Sequence, residues 1–272
     1  MLLACDARAP RLLLHRFGRD RSRDWTWSGL GPRGTARSKI IPSIQAFQAA
    51  HQLPEVTVVA DAGMLSDGNL RALSGAGLRF IVGQKIPDIP YVVRHWMDTH
   101  PGEQPPDGLI LTQPWSRGPA GQQVKETIYY QYRADRARRT LRGIGEQVGK
   151  AERAVAGKAP VKRNRFIALT GAQKSVNREL EAKARTLAGW KGYITNLATP
   201  TPEYVIGAYH QLWQVEKSFR MSKSDLKARP VYHHLKDSIE AHLTIVFAAL
   251  AVARWLESTT GVSIKALVKT LR

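Results

Sequence analysis

The chain has 272 residues, 43% of them hydrophobic, enough to bury a core in one large domain or two small ones. Its 41 Lys and Arg against 22 Asp and Glu leave a formal charge of +19, which calls for a polyanionic partner, nucleic acid first and an anionic membrane surface second. A single cysteine, Cys5, excludes a disulfide framework and a cysteine zinc site.

In chain order, MLLAC has no apolar stretch of useful length before Cys5, so the reading excludes a signal peptide and expects a cytoplasmic protein. Residues 1–34 form an atypical basic segment, rich in Arg and Gly, with little period of 2 or 3.6. It is expected to be disordered, either as an arm that binds DNA phosphates or as an artefact of gene truncation.

Residues 35–86 read as alternating helix and strand. Ile41, Ile44, Phe47 and Ala50 fall at helical spacing after a Pro-containing start, and Pro54 ends that helix. Val56, Val58 and Val59 make an apolar β-branched run, the mark of a strand buried on both faces. Asp61 stands where that strand runs out, and Gly63 allows the turn. SDGNLRALSGAGL opens with a Ser/Asp cap and reads as a helix; Phe80 to Gly83 reads as the next short strand. The order helix, strand, helix, strand predicts an α/β fold.

Residues 87–187 change character and read as an insertion. Pro- and Gly-rich turns lead to VKETIYYQYR, a candidate strand, and then to a basic helical region from Arg133 to Arg165. Arg136, Arg139 and Arg142 belong to it and are assigned to phosphate contacts. Residues 188–257 return to strand near Gly192–Leu197, pass through the helix described next, and end in an apolar helix. Its longest apolar run, about Leu243 to Ala253, is too short to span a membrane and is expected to be buried, so no membrane partner is assigned. Residues 258–272 are a basic tail.

The stretch YHQLWQVEKSFRMSK, Tyr209 to Lys223, has no Gly or Pro and is rich in helix formers, which predicts one continuous helix. Tyr209, Trp213, Glu216, Arg220 and Lys223 fall within an arc of about 80° on it. Such a stripe is either a solvated surface with incidental ion pairs or a carboxylate offered to a metal ion with cations beside it for phosphates. Asp61 likewise is either a turn residue or a ligand at the carboxyl end of a strand, where ligands collect in open α/β sheets. Taken together, the two acids suit a hard divalent cation, Mg²⁺ or Mn²⁺.

These residues carry a resemblance. The pattern Y-x2-L-x3-E-x6-K from Tyr209 through Leu212 and Glu216 to Lys223 resembles the Y-x2-R-x3-E-x6-K signature of bacterial insertion-sequence DDE transposases, and TVVADAGM resembles their second-Asp strand. KSDLKARPVYH and IEAHLTIVFAALA resemble the segment that follows the signature in one subgroup. The likeness covers about Ala36 to Leu256. It implies a ribonuclease H-like catalytic core interrupted by a basic insertion before the Glu-bearing helix. It also implies Asp61 and Glu216 as catalytic, metal-holding acids, and Tyr209, Arg220 and Lys223 on the DNA backbone. The partners implied are double-stranded DNA, as transposon ends and target, and a second copy in a homodimer.

Two departures accompany it. Leu212 stands where the signature has Arg, with Arg220 as a partial substitute. No strand ending in a first Asp is recognisable. Asp6 is the positional candidate, and Asp20 and Asp24 lie in the Arg-rich stretch. The expectation is therefore an N-terminally truncated or frame-disrupted copy with a core incomplete at its N-terminus. Two alternatives stay open: a catalytically inactive remnant that binds DNA or inhibits the full-length enzyme, and a nuclease without strand transfer.

Overall fold

A computed structural model describes residues 2–5, 36–62, 66–118, 123–160, 163–170, 173–224 and 232–270. The described elements run β1 (Leu2–Cys5), α1 (Ala36–His51), β2 (Thr57–Ala60), α2 (Asp67–Gly75), β3 (Arg79–Gln84) and α3 (Tyr91–Thr99). They continue β4 (Ile110–Arg117), β5 (Val124–Tyr132), α4 (Ala134–Val155), β6 (Ile167–Thr170), β7 (Gln173–Val176), α5 (Arg178–Thr186) and β8 (Trp190–Thr195). The last are α6 (Pro202–His210), α7 (Leu212–Ser224), α8 (Lys236–Thr260) and α9 (Ile264–Thr270).

One mixed sheet of order β1-β2-β3-β8-β5-β4 organises the fold, and β6 and β7 make a separate hairpin. Among the described strands only β2 and β3 pair in parallel, and the other pairings are antiparallel. The α/β class expected from the sequence is what the chain has. All four residues of β2 are buried, which is why TVVA lacks the polar alternation of a half-exposed strand. The Ser66 hydroxyl caps α2 by accepting from Asn69 N, as its position predicts. Helix α1 starts earlier than expected and runs through Pro42 rather than opening on it.

Residue parity divides the sheet into two faces. Val58, Ala60, Phe80, Val82, Ile128, Tyr130, Trp190 and Ile194 pack on one side with Ile44, Leu70, Leu73 and Val93 of α1, α2 and α3. Val59, Ile81, Tyr129 and Tyr193 pack on the other with Val205, Ile206, Ala208 and Tyr209 of α6. Each buried Val, Leu, Ile or Phe among these contributes about 1.5–3 kcal/mol, so both layers are fixed by ordinary apolar burial. Asn196, just past β8, locks the strand to its neighbour: its Oδ1 accepts from Phe80 N at 2.8 Å and its amide donates to Leu78 O at 3.0 Å.

Within residues 87–187, β4 and β5 belong to the main sheet. The expected basic helix is α4, which builds a smaller core of its own: Ile144, Val148 and Ala151 pack with Phe166, Leu180 and Ala184.

Three expectations need correcting. Residues 1–34 were expected to be disordered, yet Leu2–Cys5 are an edge strand paired with β2; residues 6–35 lie outside the described residues. The helix expected to be continuous over Tyr209–Lys223 is interrupted at Gln211, whose N–H is shared between Gly207 O and Ala208 O, both at 3.2 Å. The physical reason is that α6 packs on the sheet whereas α7, after its first residue Leu212, packs through Met221 on α8. Helix α8, expected to be buried, turns Val246, Leu250 and Ala253 inward but leaves Ile245, Phe247, Val252 and Trp255 open, Ile245 at 70% exposure. By length and composition alone α8 is apolar enough to cross a membrane.

Glu257 ties α7, α8 and α9 together. Its carboxylate meets Lys217 Nζ at 2.7 Å and Arg254 Nη1 at 3.1 Å, and accepts from Ile264 N at 3.1 Å. Burial pulls this carboxyl upward, but the Lys217 hydrogen bond, the Ile264 N–H and the two cations outweigh it and hold it below its ordinary 4.5. A depressed carboxyl stabilises the fold above the unfolded-state value and loses that contribution as the pH falls through the folded one. Glu257→Gln is expected to cost about 2 kcal/mol at pH 7. In urea melts, the gap between wild type and variant closes as the pH is lowered from 5 towards 3.

Candidate active site

The site is built on the α6 face of the sheet, at the end where β2 stops. Asp61 is the first residue beyond β2 and shares the parity of Val59. Its Oδ1 accepts from Ala62 N at 2.9 Å and from the Tyr209 hydroxyl at 2.7 Å. No described residue hydrogen-bonds its Oδ2. Burial raises the Asp61 carboxyl, but the Tyr209 and Ala62 hydrogen bonds and the Lys191 charge bring it below its ordinary value, so it is ionised at neutral and mildly acid pH. Burial and the bond to Asp61 push the Tyr209 phenol far above its ordinary value, so it remains a donor.

Tyr209 comes from the last turn of α6 and is 6% exposed. It lies edge-on to Tyr193 of β8, ring centroids 5.0 Å apart, and crosses β3 above Gly83. A Cβ at Gly83 would stand 2.8 Å from the phenol oxygen and 3.1 Å from Cε2. The glycine is therefore the clearance through which Tyr209 reaches Asp61.

Lys191 of β8 places its Nζ 4.1 Å from the Tyr209 ring centroid and 5.7 Å from that of Tyr193. Burial lowers its pKa, as does the nearby Arg136, while the charges of Asp61 and Glu216 act in the opposite sense. Glu216 is exposed on α7, and its charge also raises the Tyr209 phenol. Asp61 and Glu216, 155 positions apart in the numbering (216 − 61), thus act on the same ammonium and the same phenol.

The other expected site residues divide. Arg136, near the start of α4, donates to Gly189 O at 3.2 Å and Gln131 O at 3.4 Å, which holds it beside this cluster. Arg139 and Arg142 are exposed further along α4, and no described contact ties them to the acids. Arg220 is exposed on α7 one turn past Glu216. Lys223 lies in the last turn of α7, and its side chain is outside the described residues. Leu212 is buried with Tyr209, Tyr193 and Val205, so at this position the chain has a core residue rather than a phosphate contact. Gly83, Lys191, Tyr193 and His210 complete the setting and were not singled out from sequence.

Among the described residues, no group of three or more His, Cys, Asp and Glu is gathered closely enough to hold a metal ion. Asp6, Asp20 and Asp24 lie outside the described residues. The donors present are nevertheless of the right kind. Mg²⁺ is commonly held by one or two carboxylates together with substrate phosphate oxygens and water, and Asp61 and Glu216 supply carboxylate oxygen only.

Comparison with protein families decides the affiliation: the family described as Transposase DDE domain matches residues 36–252, a span that contains both acids. The chain belongs to the DDE transposases. Comparison with curated proteins finds no match. In this transposase the matched span opens with α1 and includes the whole of β2 to α7. The α/β sheet with its covering helices is accordingly the ribonuclease H-like fold that the resemblance implied.

Proposed function

We propose that this transposase cleaves DNA at the ends of a bacterial insertion sequence and joins the freed 3′-hydroxyl to target DNA, working in the cytoplasm. The observation that carries the reading is the Asp61–Tyr209 hydrogen bond at the rim of the sheet, and the Glu216 charge, which acts on the same phenol and on Lys191, supports it. The two carboxylates would hold Mg²⁺ or Mn²⁺, which supplies Lewis-acid stabilisation of phosphate oxygens and a more acidic bound water. Tyr209 restrains Asp61 through its hydrogen bond and keeps Oδ1 engaged, which leaves Oδ2 as the oxygen that no described residue occupies. Lys191 offsets the two negative charges and so lowers the electrostatic cost of bringing a phosphodiester beside them. Arg220 and Lys223 on α7, with Arg136, Arg139 and Arg142 on α4, supply positive charge for the backbone on either side. Joining needs two ends in one complex, so the reading includes a homodimer.

The absence of a third acid among the described residues favours one second reading, a transposase that binds ends without cutting them. Incubation of the purified protein and Mn²⁺ with a labelled duplex carrying the element's end separates the two. Nicking followed by joining to target supports the proposal. Binding without nicking supports the inactive form, and nicking without joining reduces the function to a nuclease.

A further inference from the structure

Lys191 and Arg136 are an unusual pair. Both are half-buried, and neither has a carboxylate within 4 Å among the described residues. The backbone holds them together. Lys191 of β8 is the direct cross-strand partner of Gln131 on β5, and Arg136 donates to the carbonyl of that same Gln131. A second bond from Arg136 goes to Gly189 O, two residues before Lys191. Gly189 has φ +92°, and a Cβ there would meet the Tyr132 ring at 2.5 Å, so this turn is built for glycine.

Bringing two like charges together out of full solvent is unfavourable unless an anion completes the set. The neighbourhood shows that cost. Burial and the charges of Lys191, Arg136 and Arg133 all push the His210 imidazole down. His210 stacks edge-on against Tyr193 at 6.4 Å, on the same ring pair that carries Lys191. The charges of Asp61 and Glu216 also reach Lys191, although neither carboxylate is within ion-pair distance of it among the described residues. Lys191 thus feels both the two acids and the neighbouring Arg136.

We propose that Lys191 and Arg136, with His210 at the rim, seat one DNA backbone phosphate directly beside the acid pair. This rests on the DNA-cleaving reading and deepens it by naming the residues that position the strand. Lys191 is a positioning residue, its ammonium held 4.1 Å from the Tyr209 ring centroid, where it would meet the phosphate. A phosphate held there is bound by charge and shape, without reading base identity.

The test is binding in EDTA, which does not depend on cleavage. Affinity for the end duplex is measured against salt for wild type, Lys191→Met, Lys191→Arg and Arg136→Met. Lys191→Met removes the charge, keeps an unbranched side chain of similar length on β8, and should melt close to wild type. It is expected to flatten the plot of log affinity against log salt by about 0.9, the value of one lost phosphate contact, and Lys191→Arg to restore it. Single neutral methylphosphonates scanned along the duplex should weaken wild type most at one position, and that peak should vanish in Lys191→Met. An unchanged salt slope in Lys191→Met, or a scan whose peak survives, overturns the seat. If the seat stands while the wild type never nicks in Mn²⁺, the cleavage reading fails alone. If nicking proceeds while the slope and scan do not move, the seat fails alone.

Discussion

Asp61→Asn and Glu216→Gln are each expected to abolish nicking of the element end, a loss of at least about 10³-fold in single-turnover rate. Both are isosteric and remove only a charge. An amide oxygen at position 61 can still accept from Tyr209, and Glu216 is exposed, so neither change should move the melting curve far. End binding in EDTA should tighten, because each change removes a negative charge facing a phosphodiester. Two acids serving one cation act as a unit, so the double variant should be no slower than either single one. Residual nicking in Glu216→Gln above one-hundredth of wild type would remove Glu216 from the chemistry.

Gly83→Ala is expected to lower the nicking rate by about 10²-fold with end binding retained. The added methyl carbon would stand 2.8 Å from the Tyr209 oxygen. Tyr209 is 6% exposed and wedged against Tyr193, so it has no free rotamer to escape into and must lift off Asp61. The carboxylate then loses its tyrosine donor and its fixed orientation. Tyr209→Phe removes the clashing oxygen and the hydrogen bond together. If the clash acts through that bond, Gly83→Ala in a Tyr209→Phe background should add little to the loss from Tyr209→Phe alone. Fully additive losses would mean that Gly83 acts through some other contact.

Much of this arrangement was legible in the sequence because it is local. The run Val56–Val59 announces a strand buried on both faces, and an acid at its end announces a site. The spacing from Tyr209 to Lys223 carries the family resemblance without any tertiary information. What was not legible depends on which surface each piece meets. Nothing in YHQLWQVEK shows that α6 follows the sheet while α7 follows α8, so the interruption at Gln211 could not be seen. The apolar content of α8 suggested burial, but composition does not say that a covering element is packed there. Leu212 looked like a lost phosphate contact and is a core residue beside Tyr193.

Lys191 and Gly83 did leave a signal. A lone lysine inside WKGYIT and a glycine inside RFIVGQ both break the local preference of a buried strand, and such conflicts gather at working sites. Their partners, Gln131 and Tyr209, lie 60 and 126 positions away in the numbering (191 − 131 and 209 − 83), which is why the signal could be noticed but not interpreted.

The central claim is that Asp61 and Glu216 serve one divalent-cation site. Fe²⁺ bound in place of Mg²⁺, with ascorbate and peroxide, cuts the polypeptide backbone near the bound ion, and the fragments are read by mass spectrometry. The account predicts cuts near both Asp61 and Glu216, suppressed together by excess Mg²⁺ and lost together in either Asp61→Asn or Glu216→Gln. Cuts near one acid that persist unchanged when the other is substituted would contradict it.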